Sequence, residues 1–273
     1  MKELAIIGTS MIDQVFTAKE ALKFNQCNKG SMSVSVGGSM CNTARNCALL
    51  DFPVHFYTIL GNDDFAQLIH NTLNSKYITL HETVVDAPSP LFAFLSDRHQ
   101  HMKLSTISPT FLFQSPLQIP QPYVLTDNEK LLPMPNKVIF SGSIPSGNNF
   151  MHGLIINREE AAKLNPDLET AILQLKKRFS WVIITCDKDG VIYDYSGIKK
   201  QPACTDQPGY SLGCGDTFAA GFMSAYLSDL PFDECVSFGQ RTAAEKFCHP
   251  EVVSPSISKL KLLQQSRNSI VDI

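Results

Sequence analysis

The sequence predicts an α/β protein, a doubly wound and mostly parallel sheet flanked by helices, with a small separate β-sheet beside it. Three observations carry that reading. Short apolar runs at Leu4–Ile7, Val54–Leu60 and 181–185 each end in a polar or glycine-bearing turn, the profile of strands buried on both faces. Helical runs follow strands at 65–73 and 158–164, as in βα units. Finally, the glycine-rich turn Gly213-Cys214-Gly215-Asp216 runs straight into an apolar, small-residue helix at 217–226.

Composition bounds the function. The 273 residues suffice for one large α/β domain or two small ones, and 44% hydrophobic with 18% charged residues is ordinary for a globular chain. A net charge of −3 gives no electrostatic reason to expect nucleic acid. Eight cysteines are scattered without a C-x-x-C pair, so they read as reduced, mostly buried thiols rather than metal ligands. The first residues resemble no signal peptide and no run is long enough to span a membrane, so the expectation is a cytoplasmic protein with no membrane partner.

Taken in order, Leu4–Ile7 is a buried strand, and Asp13 follows at its carboxyl end, where open α/β sheets bind ligands. Only Gly8 stands where a dinucleotide site would need G-x-G-x-x-G, which argues against an NAD enzyme. Alternation at 31–36 predicts a strand exposed on one face, and Gly37-Gly38 then open a helix reaching Leu50. On it, Asn42 and Asn46 share a face; such amides grip sugar hydroxyls or simply cap and solvate a helix. Runs at 91–95 and 101–104 flank a polar tip around Asp97, giving a hairpin that joins the strand near residue 34 in a small sheet able to act as a lid. His99 and His101 lie two apart there without a third metal ligand.

Residues 108–135 read as loop with one short strand at 123–125; a strand and loop follow at 137–142 and a strand at 153–157. Asn157 and Glu160 meet at a strand-to-helix junction. They are either an Asn cap with Glu at its third position or a pair holding water on a metal–phosphate complex, and both can hold together. A strand at 181–185 turns through Asp187 and Gly190 into a hairpin strand at 191–195. Gly213 and Gly215 let the backbone turn tightly, so the first amides of the next helix can face an anion. Asp216 is either that helix's cap or a base beside the anion hole. A last helical run spans 232–248, and 257–265 closes the chain.

The order of Gly37-Gly38 with Asn42, then Asn157 with Glu160, then Gly213-Cys214-Gly215-Asp216 resembles the ribokinase-like (PfkB) family of carbohydrate and nucleoside kinases, over most of the chain. Segments at 42–50, 157–160 and 230–240 are similar to those of the branch acting on pseudouridine. The resemblance implies one kinase domain over residues 1–273, with lid strands from about 14–36 and 90–105. It implies transfer of the ATP γ-phosphoryl group to the 5′-hydroxyl of a nucleoside, pseudouridine first, with another sugar or nucleoside kinase of the family (ribose, adenosine) or a catalytically inactive nucleoside-binding member as the alternatives. By resemblance Asp216 is the base, and the backbone from Gly213 through Cys214 and Gly215 is the anion hole. Asp13, Gly37, Gly38, Asn42 and Asn46 face the substrate, Thr185 and Gly190 face ATP, and Asn157 and Glu160 orient Mg²⁺ through water. K⁺ is a candidate second ion, and the lid a candidate homodimer contact.

The chain departs from that pattern in five places; at one of them Cys41 stands where the branch acting on pseudouridine has an arginine. Cys214 replaces an alanine, Tyr210-Ser211-Leu212 replace an Asp or Asn followed by Thr, and Asp187 stands where a glycine is usual. Between Pro145 and Asn157, a crossover unit of roughly 30 residues has no counterpart. From Gly142 to Gly153 there is scarcely room for parallel neighbours to connect, since such connections ordinarily take a dozen residues or more. The expectation is therefore a sheet that has lost a strand, or a chain lacking a stretch.

Overall fold

The computed structural model describes residues 2–97, 101–114, 117–205 and 207–260. Thirteen strands and six α-helices alternate along the described chain: β1 (Leu4–Ile7), β2 (Met11–Ala18), β3 (Gly30–Gly37), α1 (Ser39–Leu49), β4 (Val54–Leu60), α2 (Asp64–Leu73), β5 (Ile78–Val84), β6 (Leu91–Ser96), β7 (His101–Ser105), β8 (Tyr123–Thr126), β9 (Lys137–Ser141), β10 (Met151–Asn157), α3 (Arg158–Leu164), α4 (Leu168–Leu175), β11 (Phe179–Thr185), β12 (Val191–Asp194), β13 (Ile198–Gln201), α5 (Cys214–Leu227) and α6 (Phe232–Phe247).

Nine strands form one sheet in the order β13-β12-β11-β10-β9-β8-β1-β4-β5. All neighbours from β5 to β11 pair in parallel, and β12 and β13 fold back antiparallel at one edge. From β1 the chain moves outward to β4 and β5, then returns to the other side of β1 as β8 and proceeds to β11. The direction therefore reverses between β1 and β8, and the carboxyl ends of those two strands frame the crevice where such sheets take their ligands.

The second sheet has the order β3-β2-β6-β7. Asp13 belongs to its β2, opposite Ser35 of β3 and Phe92 of β6, and not to a loop after β1. The apolar alternation of β2 is broken by Asp13 and Gln14, which hid the strand in the sequence. Sequence reasoning also passed over α4 and the edge strands β5 and β13. The hairpin tip carrying His99 and the run 261–265 lie outside the described residues.

The missing crossover is resolved by a direct step. β9 and β10 are parallel neighbours, with Gly153 opposite Ile139, and residues 142–150 alone connect them. No helix is required, because nine extended residues reach up to about 30 Å whereas a five-residue strand is about 16 Å long. The loop is fastened rather than slack. The Ser146 amide and hydroxyl both donate to Glu129 Oε2, at 2.7 and 2.9 Å, Arg178 Nη2 donates to the Pro145 carbonyl at 2.9 Å, and Ile144 packs on the core formed by β9 to β11.

Helix α5 is buried almost throughout, and small residues let α6 approach it closely. A side chain at Gly221 would collide with Thr242 Oγ1, and one at Gly239 with Phe218. Trp181 of β11, packed on Phe222 with ring centroids 5.2 Å apart, fixes α5 to the sheet. Among the described residues all eight cysteines are free; Cys41, Cys47, Cys186 and Cys235 are buried and Cys214 partly so, but Cys27, Cys204 and Cys248 are exposed, so fewer thiols are buried than the sequence led us to expect. No described helix is long and apolar enough to cross a membrane. Glu129→Ala should accelerate hydrogen exchange at the Ser146 amide by about fivefold, the equivalent of one hydrogen bond of ~1 kcal/mol, read by exchange mass spectrometry over residues 142–150.

Candidate active site

The site forms where α1 and α5 meet above the carboxyl ends of β1 and β8. Gly38, the residue before α1, has φ +100°, and a side chain there would strike the Thr9 carbonyl. Gly37 is required for a different reason. A Cβ at Gly37 would lie 1.9 Å from Asp13 Oδ2, so the absent side chain makes room for that carboxylate. The helix then projects Ser39 and Asn42 at Asp216 of α5. Ser39 Oγ donates to Asp216 Oδ1 at 2.6 Å, and Asn42 Nδ2 donates to Asp216 Oδ2 at 3.1 Å.

Asp216 is not the cap of α5. Gly213 occupies that position at φ +86°, and a side chain there would meet the Val252 carbonyl. Asp216 stands in the first turn, where the amides of Gly215 and Asp216 have no protein acceptor among the described residues, while the Cys214 amide donates to the Ser211 carbonyl. Nothing lies within 4 Å of a Cβ built on Gly215, so this end of the helix is open. It is a place for an anion.

Three carboxylates face one another here. Burial pushes Asp216 up to about 6 against the pull of the Ser39 and Asn42 hydrogen bonds, and the charges of Asp127 and Asp13 push it further in the same direction. Asp13 is likewise raised to about 6 by burial, opposed by the Arg45 guanidinium. Asp127, at the end of β8, opens to the crevice, yet the protein around it still raises it to about 6. It is held close to β1, since a Cβ on Gly8 would lie 3.2 Å from its Oδ1.

The other sequence-predicted residues fall into two places. Asn46 is fully buried; its Nδ2 donates to Thr217 Oγ1 at 3.0 Å and so braces α5, while its Oδ1 has no partner among the described residues. Asn42 is also buried, and its Oδ1 has no partner among the described residues. Asn157 and Thr185 lie side by side at the ends of β10 and β11. The capping alternative is realised, with the Glu160 amide donating to Asn157 Oδ1 at 2.8 Å, and Glu160 pairs with Lys163 at 2.6 Å. No group of three or more His, Cys, Asp or Glu side chains among the described residues is arranged to hold a metal. Gly190 has φ +85° and lies against the Gln201 carbonyl. Asp187 has φ +49°, a conformation a glycine takes without strain, which explains the residue type usual at that place. Its charge is felt at Cys214, so this turn borders the α5 end.

Ser39 and Asp127 escaped the sequence reading. Ser39 had a signal, a hydroxyl directly after the glycine pair; Asp127 had one too, its place just past the carboxyl end of the predicted strand 123–125, but the pairing of β8 with β1 that brings it to the crevice was not legible.

Comparison with known proteins decides the family. The pfkB family carbohydrate kinase pattern matches residues 1–124 and 126–259. The chain belongs to that family. Its members are phosphotransferases with an alcohol group as acceptor. The pseudouridine kinase of Escherichia coli K12 is 22% identical over 304 residues, covering 97% of each chain. That alignment is longer than this chain and so opens gaps in it. Among solved structures, ribokinase from Thermotoga maritima superposes with a TM-score of 0.81 at 21% identity, over 96% of this chain and all of that one. The nucleoside kinase of Methanocaldococcus jannaschii gives 0.75 at 16% identity, covering 97% and 99%. Arabidopsis thaliana ribokinase, solved with ribose and ATP, gives 0.76 at 17%, covering 96% and 99%. This pfkB-family chain therefore has the ribokinase-like fold.

Two predictions follow from the site's electrostatics and backbone. The acid limb of kcat/KM should move to higher pH in Ser39→Ala, which removes a hydrogen bond favouring the Asp216 carboxylate, and to lower pH in Asp127→Asn, which removes a repelling charge; pH–rate profiles of the two variants check the opposite signs. Asp187→Gly should stabilise the fold by about 0.5–1 kcal/mol by relieving the left-handed backbone, measured by urea denaturation.

Proposed function

We propose that this chain transfers the γ-phosphoryl group of ATP to the 5′-hydroxyl of a nucleoside, with pseudouridine as the acceptor. The observation that carries the reading is Asp216, with both carboxylate oxygens held by α1 and with the open first-turn amides of α5 beside it. A carboxyl that titrates near 6 is ionised at pH 7 yet basic enough to take a proton from a hydroxyl. The unpaired, buried Asn42 Oδ1 would accept a hydrogen bond from an acceptor hydroxyl, which relieves the cost of an orphaned buried acceptor. Asp13 would take a further hydroxyl, and Gly37 and Gly38 would let the sugar approach the backbone.

ATP supplies the phosphoryl group when bound. The Gly213–Asp216 turn would stabilise charge on it, and Thr185 and Gly190 would border the nucleotide, so that the protein's part is positioning and electrostatics. Asn157 and Glu160 are oxygen donors suited to Mg²⁺ held through water. The reading keeps residues 1–273 as one domain and makes the four-stranded sheet its lid. The apolar side chains that sheet exposes, Met32, Val34 and Leu104, favour its serving also as a homodimer contact. Pseudouridine as acceptor is supported by the named activity of the E. coli relative.

The test is ATP consumption with Mg²⁺ and K⁺ against pseudouridine, uridine, adenosine, ribose and fructose 6-phosphate. Turnover is expected with pseudouridine; turnover confined to a sugar would overturn the nucleoside assignment, and none on any acceptor would overturn the kinase reading. Asp216→Asn should abolish nearly all turnover while raising stability at pH 7. The sign follows from linkage: the folded-state pKa lies above the unfolded value of 3.8, so as pH rises from about 4 through about 6 the ionised group costs stability that an amide does not. A thermal-unfolding gain of about 1–2 kcal/mol checks it.

A further inference from the structure

The last turn of α6 carries a charge that the proposed chemistry leaves unexplained. Lys246 is completely buried. Its Nζ donates to the Tyr210 carbonyl at 2.7 Å, and no described carboxylate forms an ion pair with it. Burying an ammonium in this way is costly, and lysines are rarely found so. A fold needing only an apolar plug at this position would be served by leucine or methionine.

The location gives the charge a purpose. Gly239, Thr242 and Lys246 share one face of α6. Gly239 lies against Phe218 and Thr242 Oγ1 donates to the Thr217 carbonyl at 3.2 Å, so this face runs along α5 toward its first turn. One turn further on, Lys246 reaches the strand of chain that enters that turn. Tyr210 is gripped from both sides there: its amide donates to the Phe247 carbonyl at 2.8 Å, and its carbonyl receives Lys246 Nζ. Cys214 Sγ also points to the Tyr210 carbonyl, at 3.4 Å, and Gly209 lies against the Phe247 carbonyl. The ammonium is near enough to favour the charged forms of Cys214 and, reciprocally, to be favoured by the charges of Glu251 and Asp216, although burial lowers its own pKa overall.

We infer that Lys246 is a positioning residue for phosphoryl transfer: a built-in cation that holds the Tyr210 carbonyl and thereby fixes the shape of the 210–215 turn that receives the transferring group. The inference rests on the proposed kinase reading. The departure at Tyr210-Ser211-Leu212 then makes sense, because the turn is held through a backbone carbonyl and needs no carboxamide or carboxylate side chain at 210.

The deciding variant is Lys246→Met, which keeps the volume and removes the charge, so it should fold with unchanged or higher thermal stability. Its kcat should fall by at least about tenfold, as small displacements of a reacting geometry do, with KM for the acceptor within about twofold of the original. Hydrogen exchange over residues 210–215, which needs no turnover, should quicken. In Lys246→Ala, n-propylammonium should restore part of kcat where n-propanol does not. A Lys246→Met protein with kcat within about twofold of the original, or with unchanged exchange at 210–215, overturns the inference, and so does equal recovery with propanol. Absence of turnover in the unsubstituted protein would instead overturn the kinase reading, and the exchange measurement would then judge Lys246 alone.

Discussion

The structure depends on a carboxylate held at the junction of two helices. Asp216 belongs to α5, but its two oxygens are satisfied by Ser39 and Asn42 of α1, and the charge is tolerated only because those donors offset part of its burial. Helix α1 must therefore arrive at a fixed height and rotation over α5. The glycine pair before it, the Asn46–Thr217 bond one turn further on and the tight α5–α6 contact at Gly221 all serve that docking. The core of the protein, in this sense, is built to present one oxygen atom pair.

Such a design works against stability. Asp13, Asp127 and Asp216 each titrate near 6, so at neutral pH three carboxylates are ionised in a crevice that disfavours their charge. Groups matched to proton transfer at physiological pH are commonly held in such environments. The compensating apolar burial lies elsewhere, in the rings of Trp181, Phe222 and Phe232 around α5.

Much of this was legible in the sequence where local chemistry decides structure. The buried strands announce themselves as apolar runs, and the two glycine turns as the only way into helices that begin against other backbone. Asn42 and Asn46 were read as one face, correctly as geometry, and packing then separates their donors: Asn42 Nδ2 turns to Asp216 and Asn46 Nδ2 to Thr217, while the Oδ1 of each has no partner among the described residues. The edge strands β5 and β13 carry too many polar residues to stand out, since half their surface is wet. Helix α4 did offer a sign, Asp167 accepting from the Thr170 amide as its cap. Asp127 offered only its place past the end of a predicted strand, and Lys246 offered nothing, because each matters through a partner more than 30 positions away in sequence.

The direct step from β9 to β10 also changes the spacing of the site's floor. Strands lie about 4.8 Å apart, so with only β9 between them the ends of β8 and β10, carrying Asp127 and Asn157, are roughly 10 Å apart. A sheet with one more strand inserted there would separate them by half as much again. Any ligand that touches both ends therefore has a shorter span to cover in this chain than it would across a wider sheet.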